Sequence, residues 1–362
     1  MNLIEEYKFN FVICINYFLS KIKTLLMNLV TGGTGLLGSH LLYYLVKSGE
    51  KTRAIKRKHS NIESVRKLFN YYSPGQPNLF ENIEWLDGDV LDIFSIEQAM
   101  QNVDYVYHCA AMVSFSPKDS NEMLNINSQG TSNVVNMALE KGIKKLCHVS
   151  SIAALGRQNY SELINEECWW KDAPGNSNYA KSKYASEREV WRASEEGLEM
   201  VIVNPSIIIG PGNWNKGSSK MFQTSAKGLK YYSEGTSGFV DVRDVALTMI
   251  KLINSDIKGE RFILNGENSS YRNFFNLIHD NFGTKRPYIK ANKLLSEIAW
   301  RMDTIKCFLS GESPLLTKES ARSAHNKHSF SNQKTREKLQ FEFMGLQKMI
   351  DDTCLAYKYM ND

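Results

Sequence analysis

Asn28-Leu29-Val30-Thr31-Gly32-Gly33-Thr34-Gly35-Leu36-Leu37-Gly38 is the stretch that decides the fold of this chain. A short strand-like run leads into glycines at 32, 35 and 38, and a helical pattern follows them. Glycines at this spacing suit a tight turn from strand to helix, because the missing side chains let the backbone approach a pyrophosphate. The first turn of the helix then presents free N–H groups to the negative charge. The stretch therefore predicts a site for a phosphate-bearing cofactor.

Three further side chains suit proton transfer at a carbonyl group. Ser151 follows the apolar run 145–149, and Tyr179 opens a helical pattern in which Lys183, four residues later, shares its face. A phenol alone titrates near pH ~10, and a neighbouring ammonium lowers its pKa by stabilising the phenolate. We expect Lys183 to lower the pKa of Tyr179 in this way. Ser151 would then hold a substrate carbonyl oxygen while Tyr179 gives or takes its proton and a nicotinamide carries the hydride.

The order of these motifs resembles the extended short-chain dehydrogenase/reductases, the NAD-dependent epimerase/dehydratase superfamily, over nearly the whole chain from about Met27 onward. A Tyr-x-x-x-Lys pattern alone is also common on solvated helices, so the resemblance rests on further matches in the same order. They are Gly88-Asp89-Val90, His108-Cys109-Ala110-Ala111, Asn127 with Gly130-Thr131-Ser132-Asn133, Asn204-Pro205-Ser206 running to Gly210-Pro211-Gly212, and the segment 239–246.

The resemblance implies which residues bind the cofactor. Asp89 and Val90 would meet the adenine, Lys183 would also bond the nicotinamide ribose, and residues 205–208 would flank the nicotinamide ring. The complete set of candidate cofactor-binding residues is Gly32, Gly35, Leu36, Leu37, Gly38, Lys56, Arg57, Asp89, Val90, Cys109, Ala110, Ala111, Asn127, Tyr179, Lys183, Pro205 and Ile208. The candidate catalytic residues are Ser151, Tyr179 and Lys183. For the apolar members of the set, plain core packing is the alternative.

The end of the second predicted strand bears on which nicotinamide cofactor is used. Members of this family that prefer NAD place an acidic side chain there, which binds the ribose hydroxyls and would repel a 2′-phosphate. This chain has Lys56-Arg57-Lys58 instead. Cations attract a dianionic phosphate, and Arg can bind it through two N–H groups. We therefore expect NADP(H), with Arg57 as the first contact and Lys56 as the second; NAD(H), with a merely solvated basic loop, is the alternative.

The remaining pattern predicts an α/β fold, a Rossmann-type doubly wound parallel sheet with a smaller C-terminal substrate-binding domain. Strand-like runs at 53–56, 83–86, 105–108, 145–149, 200–203 and 262–264 alternate with helical patterns, as βαβ units do. Ligands of such sheets bind beyond the carboxyl ends of the strands. The predicted division is a dinucleotide-binding domain over 27–209 with 239–265 returning to it, a substrate-binding part over 210–238 and 266–345, and a C-terminal helix in 346–362.

Departures from the family's patterns narrow the expected reaction. Its sugar-nucleotide dehydratases carry acidic residues directly after the catalytic hydroxyl, where this chain has Ile152 and Ala153, which cannot move a proton. Its sugar-nucleotide epimerases carry an Arg that holds the diphosphate just before the segment 239–246, where this chain has Ser237 and Gly238. What remains resembles the dihydroflavonol-reductase and 3β-hydroxysteroid-dehydrogenase branch, which acts on carbonyls or secondary alcohols of apolar molecules.

We therefore expect an oxidoreductase that acts on CH-OH groups, with a small and apolar substrate. Two alternatives stay open, a nucleotide-sugar epimerase that uses bound NAD and a non-catalytic cofactor-binding protein of the same fold.

Apolar side chains in the predicted substrate-binding part allow two interpretations. An aromatic and methionine stripe either lines a pocket or forms core, and its members are Trp214, Met221, Phe222, Tyr231 and Tyr232. The segment 294–309 is amphipathic. We expect it to form a lid helix over the site, with contact to a membrane surface as the alternative.

The composition fits a soluble enzyme that acts on a small molecule. The chain has 362 residues, 42% of them apolar, and a net charge of +5 without long basic runs, so it can bury a large core and does not favour nucleic acid as a partner.

The six cysteines show neither CxxC pairs nor histidine-rich spacing, which predicts no metal site and favours a reducing, cytoplasmic location. The family resemblance implies a homodimer.

Residues 1–26 precede the first predicted strand and need a separate interpretation. Their apolar run, 9–19, is short for a ~20-residue membrane span, and it lacks the leader and cleavage site of a secretory signal. We interpret the segment as an upstream extension from a misassigned start codon. A short membrane-surface helix is the alternative.

Overall fold

A seven-stranded parallel sheet forms the centre of the molecule. The computed structural model describes residues 26–156, 163–173, 175–310 and 318–361, so nearly all of the predicted extension 1–26 lies outside the described residues. The strands are β1 (Met27–Thr31), β2 (Lys51–Lys56), β3 (Ile83–Asp87), β4 (Tyr105–His108), β5 (Lys145–Val149), β6 (Leu163–Ile164), β7 (Met200–Pro205), β8 (Ile207–Ile209), β9 (Tyr231–Tyr232), β10 (Thr236–Asp241), β11 (Glu260–Leu264), β12 (Glu267–Ser270), β13 (Ile289–Lys290) and β14 (Ser329–Phe330). The central sheet has the order β11-β7-β5-β4-β1-β2-β3, with every neighbouring pair parallel. All six predicted strand runs lie in it, which confirms the expected fold class.

The sheet is covered by helices on both faces. The helices are α1 (Leu36–Lys47), α2 (Glu63–Tyr72), α3 (Ile93–Ala99), α4 (Ser120–Leu124), α5 (Gly130–Glu140), α6 (Asn178–Glu195), α7 (Ser219–Ala226), α8 (Val242–Ile253), α9 (Tyr271–Phe282), α10 (Lys293–Ser310), α11 (Lys318–Ser323), α12 (Gln333–Leu339) and α13 (Leu346–Asn361). Val30 packs with the apolar faces of α1 and α8, and its neighbour Leu29 packs with those of α5 and α6. Successive side chains of a strand therefore pack into two separate cores, one on each face of the sheet, as a doubly wound sheet requires.

The direction in which the sheet is built reverses between β1 and β4. The chain adds β2 and β3 on one side of β1, then returns to place β4, β5, β7 and β11 on the other. At such a switch point the loops after the two neighbouring strands diverge and leave a crevice for a ligand. The loops concerned are the glycine turn 32–35 and the segment 109–112.

A second, three-stranded sheet carries the smaller part of the molecule. Its order is β12-β10-β8, with β10 parallel to β8 and antiparallel to β12. The sequence predicts that residues 239–265 return to the dinucleotide-binding domain. In the structure α8 packs on the central sheet and β11 is part of it, whereas residues 239–241 belong to β10 in the smaller sheet. A hydrophobic strand pattern predicts the strand and does not by itself say which sheet it joins.

The core of the smaller part is aromatic. Phe239 on β10 and Phe274 on α9 stack with ring centroids 4.6 Å apart, and Trp214 and Phe222 are buried in the same cluster. For Trp214 and Phe222 the structure therefore supports core packing, the second of the two interpretations. Tyr231, by contrast, is exposed.

The amphipathic segment 294–309 lies within the helix α10. Leu294, Ile298 and Met302 are exposed on it, and the side chains from residue 303 to its end lie outside the described residues. Across the described ranges, the helices include none that is both long and apolar enough to cross a membrane.

We predict that Phe239→Ala lowers the free energy of unfolding by about 3–5 kcal/mol, because it leaves a cavity beside Phe274. Phe239 is 0% exposed, whereas Phe94 is 82% exposed. Urea unfolding followed by circular dichroism measures the loss, with Phe94→Ala as the control, for which we expect a change within about 0.5 kcal/mol. Equal losses in both variants would contradict the assignment of the smaller core.

Candidate active site

The glycine turn after β1 is closed by its own backbone. The Gly35 N–H donates to the Gly32 carbonyl at 2.9 Å, and Gly32 has a φ of +69°, which favours glycine. A Cβ atom at Gly38 would overlap the Gly32 carbonyl, so α1 approaches the turn as closely as two backbones can. The sequence-predicted tight turn is thus present.

This turn fits a phosphate-bearing cofactor. Gly35 is the N-cap residue of α1 and contributes no side-chain cap, and the first turn of the helix carries no acidic residue. The early N–H groups of α1 and its positive dipole end are therefore open to an anion. Leu36 is half-buried and Leu37 buried at the start of this helix.

The loop after β4 lies directly against the glycine turn. A Cβ atom at Gly32 would come within 2.7 Å of the Ala110 nitrogen and 2.8 Å of the Cys109 carbonyl carbon. The Ala110 N–H donates to the Thr31 hydroxyl at 3.2 Å, which joins this loop to the end of β1. The structure therefore brings together Gly32, Cys109 and Ala110, as the sequence predicts, while Ala111 is exposed at the edge of the loop.

The side-chain amide of Asn127 forms hydrogen bonds with the backbone of this loop. Its amide oxygen accepts from the Met112 N–H at 2.7 Å, and its amide nitrogen donates to the Met112 carbonyl and to the Ser182 hydroxyl, each at 2.9 Å. The side chain is buried and its hydrogen-bonding groups have partners within the protein. We interpret Asn127 as a residue that ties the loop to α6.

The three basic residues at the end of β2 differ in exposure and in ion pairing. Lys56 forms an ion pair with Asp87 on the neighbouring strand β3, so part of its charge is already compensated. Arg57 and Lys58 are exposed. On the next loop, the Asp89 carboxylate accepts from the Leu91 N–H at 2.9 Å, and Val90 is buried against Gly130.

Ser151 and Tyr179 meet at the carboxyl edge of the sheet. Ser151 follows β5 and caps a short 3₁₀ turn, its hydroxyl oxygen accepting from the Ala153 N–H at 3.1 Å. Tyr179 lies in the first turn of α6, whose N-cap Ser177 accepts from the Ala180 N–H at 3.0 Å. The Ser151 hydroxyl lies near enough to the Tyr179 phenol to lower its pKa against the effect of burial, although the two residues belong to different elements.

Lys183 lies one helical turn after Tyr179 and is buried. Its ammonium donates to the Val149 carbonyl at 2.7 Å, and burial lowers its pKa to about 8. The expectation that Lys183 lowers the pKa of Tyr179 is wrong for this structure. Burial raises the pKa of the phenol, and the opposing effect comes from Ser151. Desolvation disfavours the phenolate, and sequence spacing carries no information about burial.

Glu187 is a member of the site that the sequence reasoning missed. It follows Lys183 by four residues on α6, it is 2% exposed, and it forms an ion pair with Arg261 on β11 at 3.1 Å. Its position in the series Tyr179, Lys183, Glu187 at a spacing of four was the available signal, because such residues share one helix face.

An aromatic side chain that the sequence reasoning missed borders Tyr179. The Phe115 ring packs edge-on against Tyr179 with centroids 5.9 Å apart, and Phe115 is 41% exposed. Of the predicted residues that flank the nicotinamide ring, Pro205 ends β7 in a buried position and Ile208 on β8 is half-buried.

The comparison with known proteins now decides the family. Residues 28–264 match the sequence profile described as the NAD dependent epimerase/dehydratase family. The chain belongs to this family. Its members bind a nicotinamide cofactor, NAD or NADP, and comprise oxidoreductases and related epimerases and dehydratases.

Two curated relatives illustrate the similarity. The chain is 30% identical over 285 residues to a protein named "Sterol demethylase protein B" from Methylococcus capsulatus, covering 77% of this chain and 81% of the relative. It is 28% identical over 265 residues to "Anthocyanidin reductase" from Arabidopsis thaliana, covering 67% of this chain and 76% of that one.

Solved structures share the fold of this family member. The crystal structure of gox2253 superposes with a TM-score of 0.75 at 25% identity, covering 92% of this chain and 98% of that one. A UDP-glucose 4-epimerase from Thermotoga maritima superposes with a TM-score of 0.74 at 18% identity, covering 93% and 100%, and this likeness concerns the fold alone.

The described cysteines and acidic residues bear on the metal prediction. Cys109, Cys147, Cys168 and Cys354 are free thiols, and no group of three or more potential metal ligands occurs in the part of the chain that the structure describes. Cys14 lies outside the described residues, and the side chain of Cys307 does as well.

We predict that Gly38→Ala weakens binding of NADPH at least about tenfold, because the added methyl group pushes α1 away from the Gly32 carbonyl and displaces the N–H groups that would meet the phosphates. Fluorescence titration with NADPH measures the change. Gly75→Ala is the matched control, since nothing lies within 4 Å of a Cβ atom there and its φ is not positive. Unchanged affinity in the Gly38→Ala variant would remove the turn from the cofactor site.

Proposed function

We propose that this protein is an NADP(H)-dependent oxidoreductase that interconverts a carbonyl and a secondary alcohol on a small, apolar substrate. The observation that carries the proposal is the placement of Ser151 and Tyr179 at the carboxyl edge of the sheet, where the Ser151 hydroxyl acts on the Tyr179 phenol. Two hydroxyl groups at the same edge of the sheet as the glycine turn suit a single carbonyl oxygen, which accepts two hydrogen bonds. Lys183 on the same helix adds a buried cation.

The two hydroxyls divide the work between binding and proton transfer. Ser151 Oγ already accepts a hydrogen bond from the Ala153 N–H, so its own proton can be donated to the substrate oxygen in place of the Tyr179 oxygen. Tyr179 gives its proton to that oxygen in the reduction and takes it back in the oxidation. The nicotinamide cofactor supplies or accepts the hydride when it is bound. The raised pKa of Tyr179 keeps the proton on the phenol until the substrate oxygen develops charge.

The apolar character of the substrate follows from what surrounds the phenol. Phe115 exposes apolar surface next to Tyr179, and Ile152 and Ala153 follow the catalytic serine. Burying such surface against an apolar substrate is favourable, by ~25 cal/mol per Å². The names of the two curated relatives, which refer to a sterol and to an anthocyanidin, support the same class of substrate.

The smaller sheet speaks against a nucleotide-sugar substrate. An Arg that binds the diphosphate would have to occupy position 237 or 238, and Ser237 is buried there. A Cβ atom at Gly238 would overlap the Asn265 amide oxygen, so a longer side chain has no room. The family also includes epimerases, so epimerase activity is the alternative. At positions 237 and 238, however, the chain has no cation that could bind the diphosphate of a nucleotide sugar.

Three finer attributes of the protein remain predictions. They are a preference for NADP(H), from the basic residues 56–58, a homodimer, from the family resemblance, and a cytoplasmic location, from the cysteine pattern.

We predict that Tyr179→Phe lowers kcat for NADPH oxidation by about 10²–10⁴-fold with an apolar ketone or aldehyde, since general acid catalysis contributes that much. The dissociation constant for NADPH stays within about twofold, because the phenol oxygen is not a phosphate contact. Absorbance at the NADPH band over a panel of hydrophobic carbonyl compounds measures turnover. Tyr184→Phe, on the same helix and stacked on Trp170, serves as the control. Full activity in the Tyr179→Phe variant would refute the assigned role.

We predict that Arg57→Gln weakens binding of NADPH by about 10–100-fold and leaves binding of NADH unchanged, because only NADPH carries the 2′-phosphate that a charge-assisted hydrogen bond would hold. Isothermal titration with both nucleotides gives the two affinities. The control is Arg66→Gln, since Arg66 is already paired with Glu63 and Glu81. Equal weakening for NADH and NADPH would argue against NADP(H) as the preferred cofactor.

A further inference from the structure

The carboxylate of Glu187 is the centre of a buried polar cluster beneath the helix α6. Its Oε2 atom accepts hydrogen bonds from the Ser150 hydroxyl at 2.5 Å and from the Asn204 amide at 2.9 Å. Its Oε1 atom accepts from the Arg261 guanidinium at 3.1 Å and from the Trp191 indole at 3.3 Å. A buried carboxylate is tolerated only with such compensation, so the cluster holds α6, β5, β7 and β11 in one arrangement.

Two of these bonds act on the turn that carries the catalytic serine. Ser150 precedes Ser151 in the chain, and its hydroxyl binds Glu187 directly. The Asn204 amide binds Glu187 and also the Ser151 carbonyl at 3.0 Å. The backbone on both sides of the Ser150–Ser151 peptide is therefore tied to a residue of the helix that carries Tyr179.

The same carboxylate is the charged neighbour of Lys183. Burial lowers the pKa of Lys183, and Glu187 provides the largest effect in the opposite direction. From the strands beneath, Lys183 is faced by His108, Cys109 and His148. Burial lowers the pKa of His108 to about 3 and that of His148 well below its usual range, and it raises the pKa of Cys109 to about 12.

Those three groups are therefore neutral near pH 7. On α6 itself, the Tyr179 phenol is neutral as well, since its pKa is raised. Among the described residues that act on the Lys183 ammonium, Glu187 is thus the charged one.

We propose that Glu187 is a positioning residue of this active site: its buried carboxylate holds the Ser150–Ser151 turn against α6 and, one helical turn after Lys183 on the same buried helix face, supplies the negative charge for the Lys183 ammonium. The inference rests on the proposed function, because the value of a protonated Lys183 lies in the charge it offers to the cofactor. Glu187 itself does not touch the reacting atoms.

Two substitutions separate the charge from the ion pair. Glu187→Gln and Arg261→Gln both break the pair between α6 and β11, and Gln is close to Glu in shape and still hydrogen-bonds. Only Glu187→Gln removes the negative charge beside Lys183. A purely structural role of the pair would make the two variants behave alike. The double variant Glu187→Gln/Arg261→Gln removes both buried charges and is the fallback if an unpaired charge prevents folding.

The experiment records kcat for NADPH oxidation and the dissociation constant of NADPH from pH 5.5 to 9.5. In the wild type we expect activity to fall as the pH rises through the pKa of Lys183, about 8. In Glu187→Gln and in the double variant we expect the fall to begin about one pH unit or more earlier, because loss of the carboxylate removes the interaction that opposes desolvation. At pH 8 this is a loss of about fivefold relative to the wild type for one pH unit, because half of the wild-type Lys183 is already deprotonated there.

The Arg261→Gln variant retains the carboxylate and is expected to keep the wild-type midpoint, as is the peripheral control Glu189→Gln, which faces Arg192. The pH dependence of NADPH binding is expected to shift in parallel with that of kcat.

Unshifted midpoints in Glu187→Gln, or equal shifts in Glu187→Gln and Arg261→Gln, would overturn the proposal. If the wild type binds NADPH and reduces no carbonyl compound of the panel, the proposed function fails. The NADPH-binding midpoints then still decide the question of Glu187.

Discussion

The buried carboxylate of Glu187 is the constraint on which the site depends. A carboxylate taken out of water loses its hydration, and the loss is offset only when several donors converge on it. Here the donors come from Ser150, Asn204 and Arg261, each on a different strand or strand end. Glu187 can accept all three hydrogen bonds when α6 lies in one position along the sheet. In that position Tyr179, two turns away on the same helix, lies near the Ser151 hydroxyl.

A second constraint acts through the backbone. Gly32 and Gly38 permit β1, α1 and the loop after β4 to approach within distances that no side chain would allow. The N–H groups of the first turn of α1 are left for a ligand, since Gly35 provides no cap. The proposed anion site and the proposed catalytic hydroxyls thus lie at one edge of the sheet, because in a parallel sheet all strands end there.

Small and apolar residues limit which reaction the site can support, as much as the polar residues do. Ile152 and Ala153 leave no second acid or base beside the serine, and Gly238 leaves no room for a cation on the smaller sheet. Phe115 then adds apolar surface next to the phenol. Simple hydride and proton exchange at a carbonyl group is what the remaining side chains support best.

The sequence by itself determined the features that depend on local spacing. The glycine turn, the seven strands of the central sheet and the placement of Tyr179 and Lys183 on one helix face follow from the periods of helix and strand and from the freedom of glycine. Tertiary structure alone decided which sheet β10 joins. It also decided that Trp214 is core and that Asn127 has its partners inside the protein. Above all it decided the protonation of the site, since the pKa values depend on burial and on partners such as Glu187 and Arg261, which are 74 residues apart in the chain.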